Sequence, residues 1–217
     1  MAPMLAAVPQ KPLLRGWLHL GCFFLAIPAA ITVIAIAQDG RGRIGAIVYA
    51  VGLVALFGVS GFYHRLRWSD ARRRLMQKLD HGTIFVMIAG SYTPVCLMAL
   101  NGWASWTMLA IAWAGATVGF VVALTGVGRV ARIVRGTLYI ALGWVAVVAV
   151  PQMWGHLSVL ELVLIAVGGV LFTIGAVFLL TRWPDPFPRV FGYHEVWHVL
   201  VVAAVACHFV AITSVVS

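Results

Sequence analysis

Long apolar stretches separated by short polar connections run through the whole chain. A helix needs about 20 mostly apolar residues to cross about 30 Å of hydrocarbon, and each stretch is close to that length. The pattern predicts seven membrane-spanning helices, at roughly 17–37, 44–64, 80–100, 103–125, 136–154, 157–181 and 193–214. Because the connections leave no room for another unit, we predict one all-α domain over residues 1–217, a seven-helix transmembrane bundle.

Composition strengthens the membrane assignment and argues against nucleic acid as a partner. The chain is 63% hydrophobic and only 10% charged, and its mean hydropathy is +1.02, well outside the range of soluble domains. A net charge of +9 would favour nucleic acid only if the basic residues formed one folded face with aromatic residues between them. They lie in the connections instead, so we expect no nucleic-acid partner.

The basic residues also predict the orientation of the bundle. Cytoplasmic connections carry an excess of Lys and Arg over outer ones. With the N-terminus inside, 13 of the 15 basic residues fall in cytoplasmic segments, and the outer connections hold only Arg41 and Arg43. We therefore predict a cytoplasmic N-terminus and an outside C-terminus in the cell's inner (plasma) membrane.

The first apolar stretch imitates a secretory signal peptide, because Ala35-Ile36-Ala37 resembles a cleavage site. The apolar run from Gly16 to Ile34 is longer than the usual signal core of about 7–15 residues. We therefore expect the first helix to be retained, which N-terminal sequencing would check.

Ionisable side chains at membrane depth are costly, and they mark candidate functional sites. The second helix would end, and the third and seventh would begin, at the cytoplasmic side. The residues at this depth are His64, Asp80, His194 and His198. The last two are four positions apart, which places them on one helical face about 6 Å apart along the axis. The same spacing puts Ser60 on the face of His64.

Three imidazoles and a carboxylate at one depth match a catalytic zinc site, which uses three protein ligands and a water. Asp80 can accept a hydrogen bond from that water, and Ser60 can hold the water or a substrate carbonyl. Simpler roles stay open for each residue alone. A histidine near a helix end is often an interfacial hydrogen-bonding group, and Asp80 can cap the third helix.

The letters H-E-V-W-H at 194–198 also fit the zinc-protease pattern H-E-x-x-H, with Glu195 as the base. Such a protease needs a further ligand downstream, where few residues remain, whereas the third histidine here lies far upstream. We therefore favour a supporting position for Glu195 near the metal.

The remaining histidines are weaker candidates. His81 points about 100° away from Asp80 around the helix, which suits support of the site better than ligation. His208 lies about 15 Å beyond His198 along the axis, so we expect hydrogen bonding in the core. His156, in an outer connection, and His19, in the first turn of helix one, are left outside the site.

Four motifs occur in order along the chain: S-G-F-Y-H at 60–64, L-D-H at 79–81, A-G-S-Y-T-P at 89–94 and H-E-V-W-H at 194–198. Together they resemble the hemolysin III branch of the progestin and adipoQ receptor family. The resemblance covers nearly the whole chain. It implies a seven-helix bundle with the N-terminus inside, similar to the adiponectin receptors, and a zinc ion near the cytoplasmic leaflet.

The resemblance also implies roles for single residues. The family's zinc ligands fall on His64, His194 and His198, its aspartate that reaches zinc through water on Asp80, and its serine on Ser60. The family is similar to alkaline ceramidases, so hydrolysis of a lipid amide is an expected chemistry. Binding of adiponectin or progestin is not expected, because the long cytoplasmic N-terminal region of the animal receptors is lacking.

Four functional hypotheses follow. The first is a zinc-dependent, lipid-directed hydrolase or membrane-homeostasis protein, with a membrane lipid as substrate or ligand; whether it is an enzyme stays open, as do its protein partners. The alternative is a cytolysin that forms pores. An intramembrane zinc protease and a transporter are lesser alternatives.

Overall fold

The computed structural model describes residues 11–38, 40–126 and 128–217. In this part of the chain seven helical stretches are long and apolar enough to cross a membrane, and no β-strand occurs, so the predicted all-α, seven-span class is confirmed. The helices are α1 Trp17–Ile36, α2 Arg41–Arg65, α3 Asp70–Ala99, α4 Gly102–Thr125, α5 Gly128–Trp144, α6 Val150–Met153, α7 Val159–Thr181 and α8 Tyr193–Val216. A 3-10 segment, Val145–Ala149, joins α5 to α6, and the three pieces form the fifth span.

Two helices begin well before their predicted starts. Helix α3 begins at Asp70 and α5 at Gly128, because hydropathy marks the part of a helix that lies in hydrocarbon and not the point where its hydrogen bonding begins. The added turns carry basic side chains such as Arg72 and Arg132, whose long stems reach toward the polar boundary. Asp80 therefore lies ten residues inside α3, and it does not cap that helix.

The N-terminal residues 11–16 lie at the same end of the bundle as the α2–α3, α4–α5 and α7–α8 connections, here called the basic end. The backbone N–H of Leu13 donates to the carbonyl of Arg189 at 3.0 Å. The guanidinium of Arg65 lies over the ring of Trp17, 4.1 Å from its centroid. These contacts hold the start of α1 against the end of α2 and the α7–α8 connection.

The centre of the bundle is built around α2. Helices α1 and α3 pack on either side of α2, α4 packs on α3, and α8 contacts α1, α2, α3 and α7. Buried side chains at this centre include Tyr49 and Phe57 of α2 and Val201 of α8. A Cβ placed on Gly61 would lie 2.8 Å from Cα of Leu20, so a small residue is required where α1 crosses α2.

Tryptophans mark both boundaries of the apolar region. Trp103, Trp106 and Trp154 are exposed at the end opposite the basic end, whereas Trp17 and Trp183 are exposed at the basic end. Tryptophan is enriched at both membrane–water interfaces because its ring is apolar and its N–H is polar. The two groups indicate how the bundle lies across the bilayer.

The fifth span is interrupted for an identifiable reason. Pro151 lacks an N–H, and its ring clashes with the carbonyl four residues earlier, which accounts for the 3-10 geometry at Val145–Ala149. In a membrane the freed backbone groups need partners. The carbonyl of Val147 accepts the N–H of Val150, and the hydroxyl of Tyr92 serves two groups just before the 3-10 segment and at its start: it accepts from the N–H of Ala146 at 2.7 Å and donates to the carbonyl of Leu142 at 2.8 Å.

Candidate metal centre

The first turn of α8 fixes two of the predicted histidines. The Glu195 carboxylate accepts the backbone N–H of Gly192 at 2.8 Å, and its other oxygen forms an ion pair with Arg15. Glu195 is only 4% exposed, and both of its oxygens are engaged in holding the helix start. His194 and His198 follow on one face of this anchored turn.

The third histidine, His64, comes from the last turn of α2. Gly16, with φ of +81°, packs directly against His64; glycine adopts this left-handed region without steric cost. The ammonium of Lys11 donates to the backbone carbonyl of His64. The segment that leads into α1 therefore sets the position of this histidine.

The three imidazoles converge in the structure. His64 and His194 are 130 positions apart in sequence, yet the Nε2 atoms of these two residues lie 3.2 Å from each other. The ring centroids of His194 and His198 are 4.6 Å apart. One nitrogen from each of the three rings can be chosen so that all lie within 4.8 Å of one another. Tetrahedral zinc with Zn–N bonds of about 2.0–2.1 Å holds two nitrogens about 3.3 Å apart, so the donor set suits zinc and the His64–His194 pair already has that spacing.

Asp80 and Ser60 lie beside the histidines without joining them as ligands. Oδ2 of Asp80 is 3.8 Å from Nε2 of His64, and the Ser60 hydroxyl lies close to the Asp80 carboxyl. Both side chains are buried, with 9% and 3% exposure. This separation leaves Asp80 suited to an indirect contact with a metal, and its predicted contact through water stays a prediction.

The structure adds a fourth histidine to the site. His19 of α1 is 3% exposed, and its ring stacks on that of His198 with centroids 3.8 Å apart. The group of histidines that could hold a metal does not include His19, as the sequence predicts, but the His19 ring lies directly beside that group. Depth in the bundle indicates this position, because α1 begins at the basic end just as α8 does, so a residue in its first turn shares the level of His194.

The residue predicted to support the site, His81, lines the same cavity as His194 and His198. It lies on the side of α5, near Arg132 and Arg135. Its backbone carbonyl accepts the hydroxyl of Tyr139 at 2.8 Å, which ties α3 to α5. A supporting role for its ring stays a prediction.

Two other histidines lie away from the metal centre. His208 hydrogen-bonds the carbonyl of Ile165 at 3.2 Å, which is the core role expected for it. His156 lies at the end opposite the basic end, with Nδ1 2.9 Å from the carbonyl of Gln152 and Nε2 2.8 Å from the amide of Asn101.

A cavity of about 160 Å³ runs from His194 and His198 between α3, α5, α7 and α8. The polar groups of Ser60 and Asp80 lie at its histidine end. Its walls are mostly apolar, and they include Ile84, Ile140, Phe172, Leu179 and Val201. The cavity therefore combines a polar end with mostly apolar walls, so its shape of polarity suits an amphiphilic molecule.

Positive charge is concentrated at the basic end of the bundle. Partial burial, with the added repulsion of Arg65 and Arg15, lowers the pKa of Lys11 below its ordinary value. Placing these positive charges close together costs free energy unless anionic groups lie near them. Anionic lipid headgroups are suited to this surface.

Comparison with known proteins identifies the family. The family model described as "Haemolysin-III related" matches residues 8–209. The chain is 34% identical to Hemolysin-3 of Bacillus cereus over 191 residues, which cover 85% of this chain and 82% of the relative. The chain belongs to the haemolysin-III-related family.

More distant relatives extend beyond bacteria. This haemolysin-III-related chain is 28% identical over 196 residues to the Monocyte to macrophage differentiation factor of Homo sapiens, with 87% of the chain and 79% of the relative covered. It is 26% identical over 190 residues to the Heptahelical transmembrane protein ADIPOR2 of Oryza sativa subsp. japonica, with 76% and 79% covered. The resemblance to the hemolysin III branch of the progestin and adipoQ receptor family is confirmed.

Proposed function

We propose that this chain is a zinc-dependent membrane hydrolase that acts on a lipid amide, with its site facing the cytoplasmic leaflet of the inner (plasma) membrane. One observation carries the proposal: His64, His194 and His198 converge, and two of them, His194 and His198, line an apolar cavity together with Asp80 and Ser60. A purely structural metal site would be closed by four protein ligands, whereas a catalytic one keeps an open position. Three histidines leave such a position.

The residues that would hold zinc are His64, His194 and His198, through one ring nitrogen each. When bound, zinc polarises a carbonyl group and lowers the pKa of water to about 7. The protein keeps the donors in place through the capped start of α8 and the contact of Gly16 with the end of α2.

The chain's own residues supply positioning and proton transfer. In amide hydrolysis the C–N bond breaks, water gives its hydroxyl to the acyl carbon, and its proton ends on the amine nitrogen. The Asp80 carboxylate accepts that proton and passes it to the leaving amine, in the way of a general base that becomes a general acid. Ser60 donates a hydrogen bond to the substrate carbonyl oxygen, and the apolar wall takes the acyl chain.

The test is hydrolysis of a ceramide with a fluorescent acyl chain by the purified, zinc-loaded protein in lipid nanodiscs. We expect release of the labelled fatty acid by the wild type, and a loss of at least about 100-fold in His198→Ala and Asp80→Asn, since general acid–base catalysis alone contributes about 10²–10⁴-fold. His156→Ala, at the opposite end of the bundle, is the matched control. Equal release by wild type and His198→Ala would rule out the hydrolase.

A further inference from the structure

His19 has a location that packing alone does not explain. Its ring lies nearly parallel to that of His198, at an interplanar angle of 13°. The ring of Phe57 meets it edge-on, at 5.2 Å between centroids and 80° between planes. Helices α1, α2 and α8 thus hold the imidazole in one orientation with almost no exposure.

Neither ring nitrogen of His19 makes a hydrogen bond of good geometry among the residues that the structure describes, although the backbone of His198 lies nearby. A buried donor without a partner costs about 1–3 kcal/mol, so the site is unfavourable unless a bound molecule completes it. His19 lines the cavity together with Ser60, Asp80 and His194. The unpaired imidazole is therefore next to the space in which an amphiphile would bind.

The stacked geometry excludes His19 from sharing a metal ion with His198. An imidazole binds an ion through a lone pair that lies in the plane of its ring, about 2.0–2.1 Å from the nitrogen for zinc. The two rings face each other at 3.8 Å between centroids, so one ion cannot lie in both planes. The three nitrogens that gather closely come from His64, His194 and His198.

We propose that His19 is a ligand-binding residue whose ring N–H donates a hydrogen bond to the carbonyl oxygen of an amphiphile held in the cavity. The imidazole carries one N–H donor and one acceptor nitrogen in its uncharged form, and a carbonyl next to a long acyl chain matches the polar end and apolar wall of the cavity. The choice of an acyl amide as the amphiphile rests on the proposed function. His19 and Ser60 would then approach the carbonyl from α1 and α2.

The experiment measures the affinity of N-methyldodecanamide for the protein in detergent micelles, read from tryptophan fluorescence because Trp197 lines the cavity. His19→Phe preserves a flat ring for stacking and removes the donor, and His19→Gln replaces it with an amide donor. One hydrogen bond contributes about 0.5–1.5 kcal/mol, so we expect His19→Phe to bind about 2- to 12-fold more weakly than wild type. His19→Gln should recover part of that loss, and His156→Phe should bind as wild type does.

Zinc content is measured on the same samples, and it separates ligand binding from metal ligation. We expect His19→Phe to hold as much zinc as the wild type. Unchanged amide affinity in His19→Phe would overturn the proposal, and so would a loss of zinc as large as that of His64→Ala. Hydrolysis is a separate readout: a wild type that cleaves no ceramide while His19→Phe still weakens amide binding refutes the hydrolase and leaves the His19 assignment standing.

Discussion

Replacement of Gly16 by alanine should weaken zinc binding without removing any ligand. A Cβ at Gly16 would come within 3.0 Å of the Cβ of His64, whereas nonbonded carbons settle about 3.5–4.0 Å apart. His64 would have to move by at least about 0.5 Å, and metal sites hold their ligand distances within about 0.2 Å. We expect a fall in zinc affinity of about 10- to 100-fold, the usual effect of disturbing the residues that orient a ligand.

Two other glycines provide the controls. Gly102 also has a positive φ, +58°, but nothing lies within 4 Å of an added Cβ, so Gly102→Ala carries the backbone strain of about 1–2 kcal/mol without the clash. Gly21 lies in α1, the helix that Gly16 precedes, and it has neither a positive φ nor any atom within 4 Å of an added Cβ. Gly21→Ala therefore introduces neither backbone strain nor a clash. Affinity is measured by competition with a chromophoric chelator on purified protein. Equal zinc affinity in Gly16→Ala and Gly102→Ala would refute the argument that this contact positions His64.

Three further predictions concern the helix start, a distant cap and the orientation. Arg15→Met leaves the buried Glu195 carboxylate without its ion-pair partner, so we expect the free energy of unfolding to fall by about 3–5 kcal/mol and the melting temperature to fall with it. The double variant Arg15→Met, Glu195→Gln should recover part of that stability; an unchanged melting temperature in Arg15→Met would contradict the prediction. Ser158→Ala removes the side-chain cap of α7, which should cost about 0.5–2 kcal/mol in a denaturation assay and leave zinc affinity unchanged. Ser217→Cys should react with a membrane-impermeant maleimide in intact cells, whereas labelling only after lysis would contradict an outside C-terminus.

The sequence was sufficient for the parts of the fold that depend on apolar length and on depth. The seven spans follow from the length of each apolar stretch, and the meeting of His64 with His194 and His198 follows from the end of the bundle at which their helices end or begin. Depth does not state which way a residue points around its helix. For that reason it grouped the correct helix ends without giving any distance between side chains on different helices.

The remaining features depend on how neighbouring helices pack. The stacking of His19 on His198 requires a particular rotation of α1, which is set where Leu20 meets Gly61 of α2. The contact of Gly16 with His64 likewise requires the exact path of the chain into α1. Pro151 is different, because its position inside the predicted fifth helix could have indicated the interruption at Val145–Ala149.

The central claim is that three histidines from α2 and α8 form one metal site. Zinc content of the purified, zinc-loaded wild type, measured by mass spectrometry beside His64→Ala and the control His156→Ala, tests it most directly. We predict about one zinc per chain in the wild type and in His156→Ala, and much less in His64→Ala, which retains two of the three ligands. A wild type without zinc, or equal zinc in wild type and His64→Ala, would contradict the claim.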